Sequence, residues 1–344
     1  MHNYKKEAGL KDLTFCIFTL DREFELKRLV DYLSKFDANI IVLDASEKDK
    51  LYQNSEKFKY IHMPNMSIQT RFMKFSELVK TKYILVCPDD DFWSMKGLAV
   101  GIRYLETNLD YASVQGLRIR LFDFPNFHWI PDYINDIFNE FTQTNKITRL
   151  FDMSTKGLCL YSLLRSEDYK KMVACLSGVD SMSRDSANLP EYLFKYTLPV
   201  VGKHRVLPVF YSARIAHPYL GSDVVFARWV NDPFDNSALK FKSNMVNFYK
   251  FEIGVNETVA DYIYSELTSR FSEAKLSGSK EWNKNQDYLK NFIFSTQIKI
   301  MRKVIKAKYF SFYLLLVKNH AFGLFLRDLI YLKKFLKKYR SLAN

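Results

Sequence analysis

Tyr83-Ile-Leu-Val-Cys-Pro-Asp-Asp-Asp-Phe-Trp93 joins an apolar run to three consecutive aspartates, Asp89, Asp90 and Asp91. Tyr83 to Cys87 has the apolar, β-branched character of a strand buried on both faces. Two acids after a strand usually form a turn or cap a helix. Three in a row crowd like charges at one point, which costs stability unless a cation or strong hydrogen-bond donors relieve it. A divalent cation with oxygen ligands is the natural relief. Such a metal would also bridge the two phosphates of a nucleoside diphosphate and carry charge away from a departing one.

Upstream, the chain repeats one theme. Leu13 to Leu20 (LTFCIFTL) reads as a buried strand, followed by Asp21-Arg22 and helical spacing from Phe24 to Phe36. Asn39 to Leu43 reads as a second strand ending in Asp44-Ala45-Ser46, Phe58 to Met63 as a third, and Ile68 to Val79 as a helix. This alternation predicts an α/β fold, a mostly parallel sheet with helices on both faces. Ligands of such sheets collect beyond the carboxyl ends of the strands, where strand order reverses. Asp21-Arg22, Asp44-Ala45-Ser46 and the aspartate triplet all stand at predicted strand ends.

Downstream, Ala112 to Gln115 and Gly116 to Phe122 read as strands flanking a bend, and Gly157 to Leu164 as another strand. Ser166 to Leu176 reads as a helix with Ser166 at its N-cap. Pro190 to Tyr196 suggests a short helix and Val206 to Ala213 the last core strand. Beyond residue 220 the pattern turns to long helical stretches. The expected division is a catalytic domain over 1–220 and a helical C-terminal region over 221–344. Cys16, Cys87, Cys159 and Cys175 form no closely spaced pair, which suits buried free thiols in a reducing compartment. The N-terminus lacks the apolar core of a signal peptide, and no run of about 18 apolar residues offers a transmembrane span. A cytoplasmic location is expected.

The segment Tyr83 to Trp93 resembles the Asp-x-Asp segment of GT-A glycosyltransferases, especially those that build bacterial surface polysaccharides such as O-antigen and capsule. The similarity runs from Leu13 to about Leu220 and is carried by the order of motifs. It implies a Rossmann-like catalytic domain, a nucleotide-sugar donor and a divalent metal, manganese or magnesium. By the same resemblance, Thr19, Asp21 and Arg22 correspond to the segment that contacts base and diphosphate. Asp44 and Ser46 match the position that contacts base or ribose. Gln69 and Arg71 lie where such enzymes turn polar groups toward the nucleotide. Asp89 would lie near the ribose, Asp91 would ligate the metal, and Asp90 has no assigned role beyond the nucleotide site. Each has a plainer alternative: Asp21-Arg22 as a helix cap, Asp44 as a turn, Arg71 and Lys74 as a solvated helix face.

An inverting enzyme of this kind needs a carboxylate within hydrogen-bond reach of the acceptor hydroxyl. Glu191 and Asp185 are the two candidates. Glu191 matches the family position by its distance from the final core strand, yet it could simply complement a helix N-terminus opened by Pro190. His217 follows the last strand, where related enzymes place a third metal ligand or diphosphate contact, with Arg214 beside it. The implied reaction is displacement at the anomeric carbon of a nucleotide-sugar, with a glycan or lipid-linked oligosaccharide as acceptor.

The formal charge of +13 is unevenly placed: twelve cations against the single acid Asp328 lie between Lys299 and Asn344. With the rest of the chain near neutrality and no nucleic-acid motif, nucleic-acid binding is not expected. Phe322, Leu324, Phe325, Leu329 and Ile330 followed by Lys333-Lys334 and Lys337-Lys338 describe a helix lying in a membrane interface. An anionic membrane surface at the inner face of the cytoplasmic membrane is thus an expected partner. The alternative is a helix packed on the catalytic domain with a basic outer face. Two other functions compete, a nucleotidyltransferase and a non-catalytic membrane-associated scaffold. Leu20-Asp21-Arg22-Glu23-Phe24 lacks the Gly-rich loop that the former carries after its first strand.

Overall fold

The computed structural model describes residues 10–50, 52–122, 128–132, 140–154, 159–181, 189–215, 232, 235–270 and 322–343. β1 (Leu13–Thr19) lies between β2 (Asn39–Asp44) and β4 (Tyr83–Pro88), parallel to both, and β3 (Phe58–His62) extends the parallel set beyond β2. Beyond β4 the sheet becomes mixed. β8 (Leu163–Arg165) runs antiparallel to both β4 and β6 (Tyr111–Phe122), and β9 (Lys203–Ile215) runs parallel to β6. β5 (Phe92–Trp93) closes the far edge on β9, and β7 (His128–Asp132) pairs with β6. The expected α/β class, with a parallel half formed by the first four strands, is what the chain adopts.

The apolar runs of β1, β2 and β4 are buried on both faces, so each of these strands feeds two cores. Cys16, Ile41, Leu43, Ile84 and Val86 face α2 (Ile68–Leu78), α5 (Ser166–Val173) and α6 (Leu189–Val201). Phe15, Ile17, Val42, Leu85 and Cys87 belong to the opposite core, with α1 (Glu23–Leu33) and α3 (Met95–Thr107). Ser67 and Ser94 cap α2 and α3 by accepting from the backbone N–H groups of Thr70 and Gly97. All four cysteines are buried free thiols.

Several local expectations change. The expected bend in the 111–122 region is one continuous strand facing a bulge of β9, with register shifts at Gly116/Leu117 and Leu117/Arg118. A Cβ at Gly116 would sit 2.6 Å from the Val209 carbonyl oxygen, so the bulge requires glycine. The strand expected over Gly157 to Leu164 is reduced to β8, because a turn closes from Ser162 N–H to Cys159 O (3.1 Å) just before it; residues 155–158 lie outside the described set. Ser166 is the first residue of α5 rather than its cap, and Arg165 holds the cap position without a capping side chain. Arg22 likewise precedes α1 without capping it.

The C-terminal helices share the cores of the sheet. α7 (Asn236–Ile253) and the helical residues 257–270, α8, bury Phe241, Met245, Tyr249, Ile263 and Leu267 in the first core. α9 (Phe322–Ala343) buries Phe325, Leu332, Phe335 and Leu336 in the second. Its Phe325 ring stands 5.1 Å from Trp129 and 5.3 Å from Phe210, Phe335 stands 5.4 Å from Tyr32, and Asp328 accepts a hydrogen bond from Ser94. This corrects the picture of 322–338 as a helix with its apolar side against lipid: Phe325 and Leu336 are buried in the protein instead. The outward face carries Leu326, Arg327, Ile330, Lys333, Lys334 and Lys337. No helix among the described residues is long and apolar enough to cross a membrane. The stretch 299–321 lies outside the described set.

Phe325 is 1% exposed and Ile330 53%. Phe325→Ala should therefore destabilise the protein by about 3–5 kcal/mol, and Ile330→Ala by no more than about 0.5 kcal/mol. Urea unfolding of both variants measures the contrast; equal effects would mean that α9 is not seated as described.

Candidate active site

After β4 the chain does not turn back beside its neighbour. It crosses to β5, whose Phe92 and Trp93 pair with Ala213 and Ser212 of β9. Asp89, Asp90 and Asp91 are that crossing, laid over the carboxyl edge of the sheet at its reversal point between β1 and β4. The far side is pinned by three hydrogen bonds: Trp93 Nε1 to Cys87 Sγ (2.6 Å), Tyr32 OH to Trp93 O (2.7 Å) and Ser94 N–H to Tyr211 O (2.8 Å). The three aspartates are only 4%, 9% and 6% exposed.

Their charges are met from both sides. Asp89 accepts from Thr19 Oγ1 (2.8 Å) and pairs with Arg22 Nη1 (3.1 Å), while Arg22 Nη2 holds Asp90 at 2.7 Å. Arg28 packs its guanidinium over Phe92, 5.3 Å from the ring centre, and reaches the Asp90 carbonyl at 3.5 Å. Asp91 accepts from the Ile215 backbone N–H at 3.1 Å, which ties the crossing to the end of β9. The plain reading of Asp21-Arg22 as a cap thus gives way to a second role: Arg22 is the counter-ion of the triplet.

The ends of β1 and β2 are knitted together beside it. Asp21 adopts φ 55°, a left-handed conformation, and its N–H donates to Ser46 Oγ at 2.8 Å. Asp44 receives the Ser46 N–H (2.8 Å) and hydroxyl on one oxygen and the Tyr60 hydroxyl (2.8 Å) on the other. Its carboxylate shapes the β2 end, and Tyr60 and His62, whose Nε2 lies 2.8 Å from Ser46 O, complete that support. Arg71 is 7% exposed and donates from Nη1 to the carbonyls of Thr19 (3.1 Å) and Leu43 (3.4 Å). Burial lowers its pKa. Gln69 is buried in the same helical turn, whereas Lys74 pairs with Glu77 on the exposed face (2.9 Å), the solvated alternative.

The second flank lies toward α6. Glu191 stands in the first turn of that helix. Tyr161 has its phenol pushed up first by burial and then by the charges of Glu191 and Asp91, so both carboxylates bear on one hydroxyl. Arg214 and Arg118 are the cations that oppose the upward shift of Asp91. Thus the described candidates, Thr19, Asp21, Arg22, Asp44, Ser46, Gln69, Arg71 and the triplet, gather along one edge, with Glu191 on its far flank. Asp185 and His217 lie outside the described residues. Tyr60, Tyr161 and Arg118 escaped the reading of the sequence. Arg118 carried a signal, since it and Arg120 alternate with Leu117, Ile119 and Leu121 in the second half of β6.

Burial raises Asp91 to about 8, aided by the charge of Asp90, and raises Asp89 to about 6 against the pull of Arg22 and Thr19. Both groups hold their protons to higher pH in the folded chain than in the unfolded one. Their contribution to stability is full below about pH 4 and is lost as pH rises through about 6 and then about 8. Asp91→Asn keeps an acceptor for the Ile215 N–H and removes the charge. Without ligand it should raise Tm at pH 8.5 by about 2 °C or more, and change it little at pH 4. A fall in Tm at pH 8.5 would show that Arg214 and Arg118 more than compensate the buried charge.

No family model and no curated protein matches the sequence. Similar solved structures include S. aureus TarS, with 13% identity, a TM-score of 0.47, and coverage of 75% of this chain and 43% of that one. They also include TarS 1–349 alone, with 10% identity, a TM-score of 0.44, and coverage of 78% and 91%. The same fragment in complex with UDP-GlcNAc has 12% identity, a TM-score of 0.45, and coverage of 78% and 92%. The chain thus spans 43% of the length of the first of these. Strand order and register define the α/β fold independently of these neighbours.

Proposed function

We propose that this chain is a metal-dependent, inverting glycosyltransferase that moves a sugar from a nucleotide-sugar donor to a glycan or lipid-linked acceptor of bacterial surface polysaccharide. The observation that carries the reading is the buried acidic crossing at the strand-order reversal, beside the knitted ends of β1 and β2. A nucleoside fits the β1 and β2 ends, near Thr19, Asp21, Ser46, Gln69 and Arg71. Asp44 acts from behind by fixing the Ser46 loop.

A divalent cation suits the donor set. Buried carboxylates whose protonation is favoured by mutual repulsion gain from a cation with oxygen ligands. Asp91 is the first ligand in this assignment, with Asp90 beside it, and His217 is the proposed distal ligand. Among the described residues no three His, Cys, Asp or Glu side chains already form a metal cage. When bound, the metal supplies charge neutralisation at the departing diphosphate. Arg22 stands where a guanidinium would pair with phosphate oxygens. Glu191 takes the proton from the acceptor hydroxyl, and Asp185 is the alternative base. The β1–α1 connection holds Arg22 against the triplet rather than forming a Gly-rich phosphate loop, which favours this reading over a nucleotidyltransferase.

The basic outer face of α9, with Lys333, Lys334 and Lys337 around Leu326 and Ile330, is the part of the tail proposed to meet an anionic cytoplasmic leaflet. Replacing all three lysines with Glu should weaken sedimentation with phosphatidylserine vesicles at least tenfold and leave Tm within about 2 °C. Unchanged sedimentation would remove α9 as the docking element.

A panel of nucleoside diphosphates tested with and without manganese should include one that raises Tm only with the metal, and Asp91→Ala should abolish that shift. In turnover, Glu191→Gln should lower kcat by about 10²–10⁴ while the KM for donor stays within about threefold. The reading fails if no nucleotide shifts Tm, and the base passes to Asp185 if Glu191→Gln turns over normally.

A further inference from the structure

The residues of α9 reach different parts of the sheet. Phe325, near its start, lies against Trp129 of β7 and Phe210 of β9, with ring centres 5.1 Å and 5.3 Å away. Asp328 and Phe335 instead bear on the residues that directly follow the aspartate triplet. The Phe335 ring meets Phe92 at 5.9 Å and Tyr32 at 5.4 Å, and Tyr32 meets Phe92 at 5.1 Å, each pair edge to face. Packing of this kind is directional, so each ring limits how the other two can turn. Tyr32, held this way, donates its hydroxyl to the Trp93 carbonyl at 2.7 Å. Lys35 Nζ stands 4.0 Å from the Phe335 ring centre and adds a cation–π contact.

Asp328 acts on Ser94. A serine hydroxyl has one proton, and Ser94 gives it to the Asp328 carboxylate. That leaves the oxygen's lone pairs for the Gly97 N–H, which Ser94 accepts at 2.9 Å as the cap of α3. The carboxylate also stands at the N-terminal end of α3, where negative charge is favoured. Phe92 follows Asp91 directly and carries the Arg28 guanidinium at 5.3 Å, whose Nη2 reaches the Asp90 carbonyl at 3.5 Å. The ladder itself is a short anchor here, since β5 pairs with β9 through Phe92 and Trp93 alone.

We propose that Asp328 and Phe335 are positioning residues for the acidic crossing, through which the far end of the chain sets the carboxylates of Asp90 and Asp91 for a cation and the donor diphosphate. This inference rests on the glycosyltransferase reading for what the crossing binds, and adds which distant residues hold it in place. Such sites need their ligands held within about 0.5 Å. Loosening of residues 92–94 is therefore felt at the triplet before the fold is lost.

Two readouts test it on the full chain, each taken well below the Tm of every variant. One is amide hydrogen exchange over residues 88–98, which reports local opening without any ligand. The other is manganese affinity by electron paramagnetic resonance, measured with each of a panel of nucleoside diphosphates. Phe335→Leu and Asp328→Ala should each speed that exchange about tenfold and weaken manganese binding about tenfold. Asp328→Asn still accepts from Ser94 and should recover most of both. Phe325→Leu removes packing from the same helix without touching residues 92–94. It should lower Tm yet leave both readouts within about twofold of the unaltered chain. Unchanged manganese affinity in Phe335→Leu or Asp328→Ala overturns the proposal. So does an equal loss in Phe325→Leu, which would reduce α9 to general packing, or no recovery in Asp328→Asn. If the unaltered chain binds no manganese with any nucleotide, the glycosyltransferase reading falls and exchange alone decides the positioning. Faster exchange in Phe335→Leu but not in Phe325→Leu then supports it, and equal exchange in the two overturns it.

Discussion

Three carboxylates held together at the edge of a sheet, nearly out of water, are the constraint around which this molecule is arranged. Left alone they would repel one another and resist burial. The fold answers from every side: Thr19 and Arg22 from the first strand and the turn after it, the Ile215 N–H and Arg214 from the last strand, and Arg118 from β6. These partners come from segments far apart in the chain, so the acidic crossing also records that the sheet has closed correctly. Its rigidity is borrowed from the apolar side, where Trp93, Cys87 and Tyr32 fasten the two residues after the triplet.

The parallel half of the sheet was legible because its signals are local. LTFCIFTL, NIIVL and YILVC are short, uniformly apolar and each followed by polar residues. A strand buried on both faces has no other way to look. The position of the triplet at a strand end was legible for the same reason. What stayed hidden depends on pairing between distant segments. β5 is two residues long and is a strand only because β9 lies beside it. The shortness of β8 is set by the turn from Cys159 to Ser162. Ser166 has the right chemistry for an N-cap, but the helix starts on it, one residue earlier than the pattern suggests.

The C-terminal helix shows how composition alone leaves two answers open. Lysines around leucines and aromatics describe both an interfacial helix and a helix packed on a domain. The difference lies in whether the protein offers matching aromatic partners. Tyr32, Phe36, Trp129 and Phe210 are those partners, and none is near α9 in sequence. Likewise, Tyr60 and His62 sit on an ordinary edge strand; only the Asp44–Ser46 loop folded against them gives them work.

The bulge opposite Gly116 has a consequence for the polarity of the whole site. Val114 lies in the core shared with α3, and strict alternation would send residues 116, 118 and 120 to the same side. The register shifts at Gly116 and Leu117 reverse the phase of the strand, so that Leu117, Ile119 and Leu121 enter the core in their place. The extra β9 residues, Pro208, Val209 and Tyr211, set opposite a point where only glycine fits, thus keep Arg118 and Arg120 out of the apolar core. Loss of that slack in β9 would force strict alternation on β6 and turn two guanidinium groups into the core.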